Sequence, residues 1–241
     1  MKANILGVEF DNLLPRQALE KVLSFLESDT TNVVFTPNPE MVMLAHKDSG
    51  FAKVLNSADL IIPDGIGIVY ASRLTKSKIA KRVTGADLLT ELFGRIRDTS
   101  HSLYFLGASP GVAEAAAAKM QAKYPGLSVA GSHHGYFGDE DDAAIVDKIN
   151  VSGADMVLVG LGFPRQEYWI HRHKNRINAK VLMAVGGSLD VFGGKVRRAP
   201  KIFQRLGLEW LFRLVCQPSR FFRQTALVKF VFTVIVKKIR G

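Results

Sequence analysis

Two short polar motifs, each following an apolar run, carry side chains that could take up a proton and hold a hydroxyl. Asn32-Val33-Val34-Phe35 leads into Thr36-Pro37-Asn38-Pro39-Glu40, and Ala58-Asp59-Leu60-Ile61-Ile62 leads into Pro63-Asp64-Gly65-Ile66-Gly67. Asp64 is a carboxylate on a glycine-flanked turn, where it can project as a general base. Thr36 and Asn38 are neutral hydrogen-bonding groups suited to orienting hydroxyls. Asn-Pro and Asp-Gly are also ordinary turn chemistry, because proline presets φ and glycine tolerates positive φ. Either motif alone is read more readily as a turn, and the plain alternative for Asp64 is a cap of the next helix.

The elements around the motifs decide in favour of a site. Apolar runs of four or five residues rich in Val and Ile read as buried strands of a parallel sheet. Ligands of open α/β sheets bind just past the carboxyl ends of such strands, which would bring Thr36, Asn38 and Asp64 to one crevice. Strands are expected at Asn4–Val8, Ser102–Leu106, Leu127–Ala130, Met156–Gly160 and Val181–Val185, besides the two motif strands. Helices are expected over Pro15–Glu27, Thr84–Arg97, Asp141–Asn150 and Gln166–His173, and after Ser109. There Ser109 suits the N-cap and Pro110 the first helical position. The alternation implies an α/β fold, a Rossmann-like parallel sheet flanked by helices.

Five motifs, in order along nearly the whole chain, resemble the WecG/TagA/CpsF family of bacterial glycosyltransferases. They are Thr36-Pro-Asn-Pro-Glu-Met41, Ala58-Asp-Leu-Ile-Ile-Pro-Asp-Gly-Ile-Gly67, Arg82-Val-Thr-Gly-Ala-Asp87, Gly160-Leu-Gly-Phe-Pro-Arg-Gln-Glu167 and Gly186-Gly-Ser-Leu-Asp-Val-Phe-Gly193. The resemblance implies inverting transfer of an N-acetylhexosamine from a UDP-sugar to a lipid-diphosphate-linked sugar. Direct displacement at the anomeric carbon needs a base on the acceptor hydroxyl and charge neutralisation on the departing UDP. Asp64 is the expected base, with Thr36 and Asn38 bonding substrate hydroxyls as the matching motif implies.

Arg82 follows Lys76, Lys78 and Lys81, so it reads alone as a solvated charge, whereas its motif favours a phosphate or substrate role. Gln166 starts a helix whose amides can face an anion. Gly107, Gly186 and Gly187 would let backbone approach the nucleotide, although glycine at a strand end is often only a turn. Tyr136 and Asp190 are candidates for ribose or uracil. Arg213, Arg220 and Arg223 offer planar forks for phosphate, and the resemblance implies a C-terminal appendage that closes over the site with such groups.

No metal and no cofactor is expected. Asp139-Glu-Asp-Asp142 has the look of a metal-binding pair, but acids at a helix N-terminus are also dipole-favoured. His133, His134, His171 and His173 lack a convincing ligand set. The resemblance implies cationic side chains in place of Mg²⁺.

At 241 residues the chain can bury one substantial core with a small appendage. Cys216 is the only cysteine, which excludes an intramolecular disulfide and a cysteine metal cage. Nothing at the N-terminus reads as a signal peptide, since Lys2 precedes a strand-like segment with Glu9 and Asp11. Of the net charge of +10, the surplus sits in the tail: Lys195–Gly241 holds twelve Lys/Arg and one acid, Glu209, whereas residues 1–194 hold 20 basic and 21 acidic groups.

A catalytic α/β domain over 1–194 and a basic amphipathic appendage over 195–241 are therefore expected. Lys201–Val215 has helical spacing, with Phe203, Leu206, Trp210, Leu211 and Leu214 able to share a face. Pro218 interrupts, and Phe221–Ile239 is a second apolar-basic stretch, too broken by Lys229 to span a bilayer. Apolar faces edged with Lys and Arg suit an anionic membrane surface. The alternative is a helical pair docked on the body or on a second subunit, so a homo-oligomer stays open.

Three rival readings fare worse, the first a membrane-associated scaffold without catalysis, which is hard to square with the intact Asp64 motif. A nucleotide- or S-adenosylmethionine-dependent Rossmann enzyme should carry a glycine fingerprint after the first strand, and Gly7-Val8-Glu9-Phe10 is not one. A basic module without catalysis, binding nucleic acid, would favour aromatics on a polar surface, yet Phe203, Trp210, Phe221, Phe222, Phe230 and Phe232 accompany aliphatic runs. The expectation is a cytoplasmic enzyme, peripheral on the inner membrane face and not a nucleic-acid binder. It would add N-acetylmannosamine, or a related hexosamine or uronic acid, to undecaprenyl-diphosphate-linked GlcNAc, with teichoic-acid linkage-unit synthesis as the setting.

Overall fold

The computed structural model describes residues 2–74, 78–216 and 221–240, with side chains for all of these except 205, 213, 221–224, 238 and 240. Near the N-terminus Lys2–Ile5 (β1) and Val8–Asp11 (β2) pair as an antiparallel hairpin, where the sequence suggests one strand at Asn4–Val8. Leu6 (φ 51) and Gly7 (φ 95) make its turn. Two residues at positive φ match the twist of a tight hairpin, and a leucine in the first position conceals that turn from composition.

Six further strands form one sheet. They are Asn32–Phe35 (β3), Leu60–Ile61 (β4), Ser102–Gly107 (β5), Ser128–His133 (β6), Met156–Gly160 (β7) and Val181–Ala184 (β8). Their order is β4-β3-β8-β7-β5-β6 and every pair is parallel. The register lines up Leu60, Val34, Met183, Leu158 and Phe105 across five strands, and all five side chains are buried in the same layer. Two-sided burial is why β3, β7 and β8 are continuous apolar runs rather than alternating ones. At the β4 edge, the Asp11 carboxylate accepts the Ile61 N–H at 2.9 Å, fastening the hairpin to the sheet.

Helices cover both faces. Pro15–Leu26 (α1), Gly85–Ile96 (α5), Val112–Lys123 (α6) and Ser188–Phe192 (α9) pack on one. Pro39–Lys47 (α2), Ser49–Asn56 (α3), Ile66–Leu74 (α4), Asp142–Ser152 (α7), Arg165–His173 (α8) and the hairpin pack on the other. The helix after β5 and the helix after β7 therefore lie on opposite faces, so the sheet opens between these strands at a topological switch point. The Rossmann-like α/β architecture read from the sequence is the observed one.

Two local readings change. Helix α6 is entered from Gly111 (φ 81), not from Ser109, whose hydroxyl instead accepts Lys195 Nζ at 2.6 Å. The tail segment expected as one helix divides at Gly207 (φ 71) into Lys201–Arg205 (α10) and Glu209–Cys216 (α11), so its apolar residues form no continuous stripe. Phe203 and Phe212 rings meet at 5.7 Å across the break. The last helix, Phe221–Arg240 (α12), lies against α2 and α4, with Phe230 and Val234 buried in the core of that face. Among the described residues no helix is long and apolar enough to cross a membrane.

Candidate active site

The loops after β3, β4, β5, β7 and β8 open into one crevice of ≈ 1360 Å³. Backbone hydrogen bonds lace its first three motif loops together: Ile62 N–H to Phe35 O (2.9 Å), Asp64 N–H to Pro37 O (3.2 Å) and Val83 N–H to Pro63 O (3.3 Å). Thr36, Asn38, Asp64 and Arg82 thereby line the same wall. Asn38 caps α2 through Oδ1, which accepts the Met41 N–H at 3.1 Å, and its Nδ2 donates to no described residue. One side chain thus serves both the turn and the crevice. Gly67 is the glycine that close packing requires here: a Cβ on it would lie 3.0 Å from Pro39 Cγ and 3.4 Å from Leu227 Cδ1. That spacing lets α4 and α12 meet over the start of α2.

Arg82 is not a solvated surface charge. Its Nη1 lies 2.9 Å from Glu209 Oε2, with both side chains less than a fifth exposed (17 % and 19 %). Its Nη2 donates to Gln204 O at 3.3 Å. Beside it, Asp87 accepts hydrogen bonds from Thr84 Oγ1 and from Arg198. Burial pushes the Asp87 carboxyl up, but the Thr84 and Arg198 hydrogen bonds and the charges of Arg198 and Arg82 outweigh it, holding it below the usual carboxylate range. Lys195, Arg198 and Arg165 also line the crevice, so with Arg82 four cations surround a site whose base candidate is an acid. Fixed cations aimed at developing negative charge are what a departing diphosphate needs.

The opposite wall is held by the start of α8. Gln166, only 5 % exposed, accepts the Gly186 N–H on Oε1 at 3.1 Å and donates from Nε2 to Glu167 Oε1 at 2.6 Å. Arg165 donates to Gly135 O (2.7 Å) and Phe137 O (2.6 Å) and stacks over the Phe137 ring. Those bonds fix the loop that presents Tyr136, which is 71 % exposed and lines the crevice with Gly186, Gly187 and Asp190. Gly107 is not on the lining; its neighbours Ala108 and Ser109 are. Glycine is needed at 107 (φ 138) because a Cβ would collide with the Gly160 backbone, which is a demand of strand packing rather than of a ligand. Arg220 lies outside the described residues, as do the side chains of Arg213 and Arg223.

Tyr70 and Leu74 of α4, Leu206 beside α10, and Leu227 and Val231 of α12 give the crevice an apolar flank next to its polar end. In the acidic run 139–142, Asp139 and Asp142 both face Arg172 Nη1, at 3.4 and 3.5 Å. Asp142 is buried and accepts Trp169 Nε1 and His173 Nε2, both at 2.8 Å, so it braces α7 against α8. His171 Nδ1 lies 3.0 Å from Ser57 Oγ. Among the described residues no cluster of three or more His, Cys, Asp or Glu is arranged to hold a metal ion.

Sequence reasoning missed Lys195, Arg198, Arg165 and Glu167. Arg165 and Glu167 flank Gln166 within a motif already singled out, and Lys195 and Arg198 were hidden in the tail's excess of positive charge.

Comparison with known proteins agrees with this geometry. The chain matches the family described as Glycosyl transferase WecG/TagA/CpsF over residues 3–241. It is 38% identical over 239 residues to the N-acetylglucosaminyldiphosphoundecaprenol N-acetyl-beta-D-mannosaminyltransferase of Staphylococcus aureus strain MRSA252, covering 98% of this chain and 93% of the relative. The same figures hold for the protein of that name in strain NCTC 8325 / PS 47. With four of the five motifs at strand ends of a parallel sheet and the fifth opening α5, the chain belongs to the WecG/TagA/CpsF family of glycosyltransferases.

Proposed function

We propose that this protein transfers N-acetylmannosamine, or a closely related hexosamine or uronic acid, from a UDP-sugar to undecaprenyl-diphosphate-linked GlcNAc; the names of its relatives give them an N-acetyl-beta-D-mannosaminyl group and an N-acetylglucosaminyldiphosphoundecaprenol acceptor. The setting is a cell-surface polymer, foremost the teichoic-acid linkage unit. The observation that carries the reading is the meeting of Thr36, Asn38, Asp64 and Arg82 on one wall of a crevice whose adjoining flank is apolar. A sugar-diphosphate with a hydrocarbon tail has that same division.

In this reading Asp64 takes the proton of the acceptor hydroxyl as its oxygen attacks the anomeric carbon from the face opposite UDP. Thr36 and Asn38 hold sugar hydroxyls in line. Arg82, Lys195 and Arg198 stabilise the charge that collects on the departing diphosphate, the part that a divalent ion plays in other nucleotide-sugar enzymes. Gln166 and the Gly186–Gly187 turn border the nucleotide, with Tyr136 and Asp190 at its base and ribose. Arg213, Arg220 and Arg223 are further phosphate ligands carried by the tail. Val228, Phe232, Ile235 and Ile239 of α12 are exposed beside Lys229 and Lys237. That surface fits an anionic bilayer from the cytoplasmic side and brings the crevice to its lipid-borne acceptor.

The test is a panel of UDP-sugars offered with a short-chain GlcNAc-diphospholipid. A β-linked product from an α-linked donor, best with UDP-N-acetylmannosamine, is the expected result. Retention of configuration, or no transfer with any donor, would remove the proposal.

A further inference from the structure

Glu167 is an acidic residue with no exposed surface, no cationic partner among the described residues and no position on the crevice lining. Its Oε2 is buried without a hydrogen-bond partner among the described residues. Its only side-chain hydrogen bond among the described residues is the one that Oε1 accepts from Gln166 Nε2 at 2.6 Å. Burial, opposed by the hydrogen bonds from Gln166 and from its own backbone, pushes the carboxyl up to about 7. A buried carboxyl held this way is costly, and a methionine or leucine would fill the same space without the penalty. Nothing in core packing accounts for it.

What Glu167 does touch is the orientation of one amide. A glutamine side chain can present either its oxygen or its nitrogen to a neighbour. With an acceptor at Glu167, the Gln166 amide must turn Nε2 towards it, which leaves Oε1 facing the Gly186 N–H at 3.1 Å. Gly186 sits at positive φ (51) with open space around it, so no side-chain packing holds the turn there. Reversal of the amide would set a donor against a donor and release the turn.

We propose that Glu167 is a positioning residue for donor binding. It acts through Gln166, locking that amide so that the Gly186–Gly187 turn keeps the shape against which the nucleotide-sugar binds. This rests on the reading of that turn as the nucleotide wall. The residue itself contacts no substrate.

Three single variants and one double variant test it, with two readouts. Glu167→Gln keeps an acceptor oxygen for Gln166 Nε2, whereas Glu167→Met keeps volume and removes the acceptor. The expected result is a donor KM raised about tenfold in Glu167→Met with kcat changed far less, and a donor KM within about twofold of wild type in Glu167→Gln. Hydrogen exchange of the peptide spanning 185–189 should quicken in Glu167→Met and not in Glu167→Gln. Gln166→Met should quicken the same peptide, and the double variant should go no further, since both act on one hydrogen-bonded chain.

Equal KM and equal exchange in the two Glu167 variants would overturn the proposal. So would additive effects of Glu167→Met and Gln166→Met, or a change confined to thermal stability. If Glu167→Met did not fold, Glu167→Gln against Gln166→Met would decide on the exchange readout alone. Lack of turnover by the wild-type protein would count against the transferase reading and would leave the exchange comparison standing.

Discussion

Arg82 Nη1 and Glu209 Oε2 meet at 2.9 Å, joining the loop that carries the Asp64 wall to the first turn of α11. Glu209 is the single acid in a tail of twelve cations, and it is spent on an arginine that lines the crevice. The tail is thereby docked through a residue of the site itself, with Arg198 and Asp87 as a second tie. Glu209→Gln should loosen that docking. The expected outcome is faster amide exchange over residues 209–216 and a loss of about 1 kcal/mol, which is about 2–4 °C in Tm for a chain of this size. Unchanged exchange over those residues would show that the pair does not hold α11.

Glu167 gives stability a pH dependence of known sign. Its folded carboxyl titrates at about 7, above the ordinary 4.5, so the folded state binds the proton more tightly than the unfolded state. Its penalty is absent below about 4.5, grows as pH rises and is complete above about 7, reaching roughly 3 kcal/mol. Asp87 works the other way, in a lower window: its depressed carboxyl stabilises the fold above its ordinary value near 3.8, and that contribution is lost on acidification. Denaturant unfolding at pH 5 and pH 8 should show wild type less stable at pH 8, and Glu167→Gln with that difference abolished.

Arg165 should govern how Tyr136 is presented. Its two hydrogen bonds to Gly135 O and Phe137 O need a planar fork, so lysine is no substitute. Arg165→Lys is expected to raise the donor KM about tenfold and to speed exchange across residues 134–138. A variant with an unchanged loop and an unchanged KM would assign those bonds to fold stability alone.

The outer face of α12 should bind anionic lipid. Replacing Lys229 and Lys237 with Glu should lower affinity for phosphatidylglycerol vesicles by at least tenfold, since each basic group near such a surface contributes about 1 kcal/mol. Phe232→Ser should weaken binding in vesicles of any charge. Turnover of a water-soluble acceptor should be unaffected by either change, because none of these three side chains lines the crevice. Equal vesicle affinity for wild type and both variants would assign that face to another partner.

The sheet was legible because each central strand is an apolar run ended by a turn residue, and because parallel strands buried on both faces leave that mark. Thr36, Asn38 and Asp64 can be brought to one crevice from sequence because strand ends of such a sheet open there, whereas Arg82 stands out only through the resemblance of its motif. The hairpin was read as one strand because Leu6 carries the turn. The tail's break at Gly207 was passed over because helical spacing continues through it. The Arg82–Glu209 pair and the Gln166–Glu167–Gly186 chain were out of reach for a different reason. Charge counts and motifs say which residues are present, whereas these contacts depend on how distant segments fold back on one another.

In the proposed reaction Asp64 removes the acceptor proton in a displacement that the protein's own cations support. The most direct measurement is single-turnover transfer from UDP-N-acetylmannosamine to the short-chain GlcNAc-diphospholipid in EDTA, for wild type and Asp64→Asn, with UDP binding measured on both. Wild type should transfer the sugar, the variant should lose about 10²–10⁴-fold, and UDP affinity should stay within about threefold in the two proteins. Transfer by Asp64→Asn at the wild-type rate would contradict that role for Asp64.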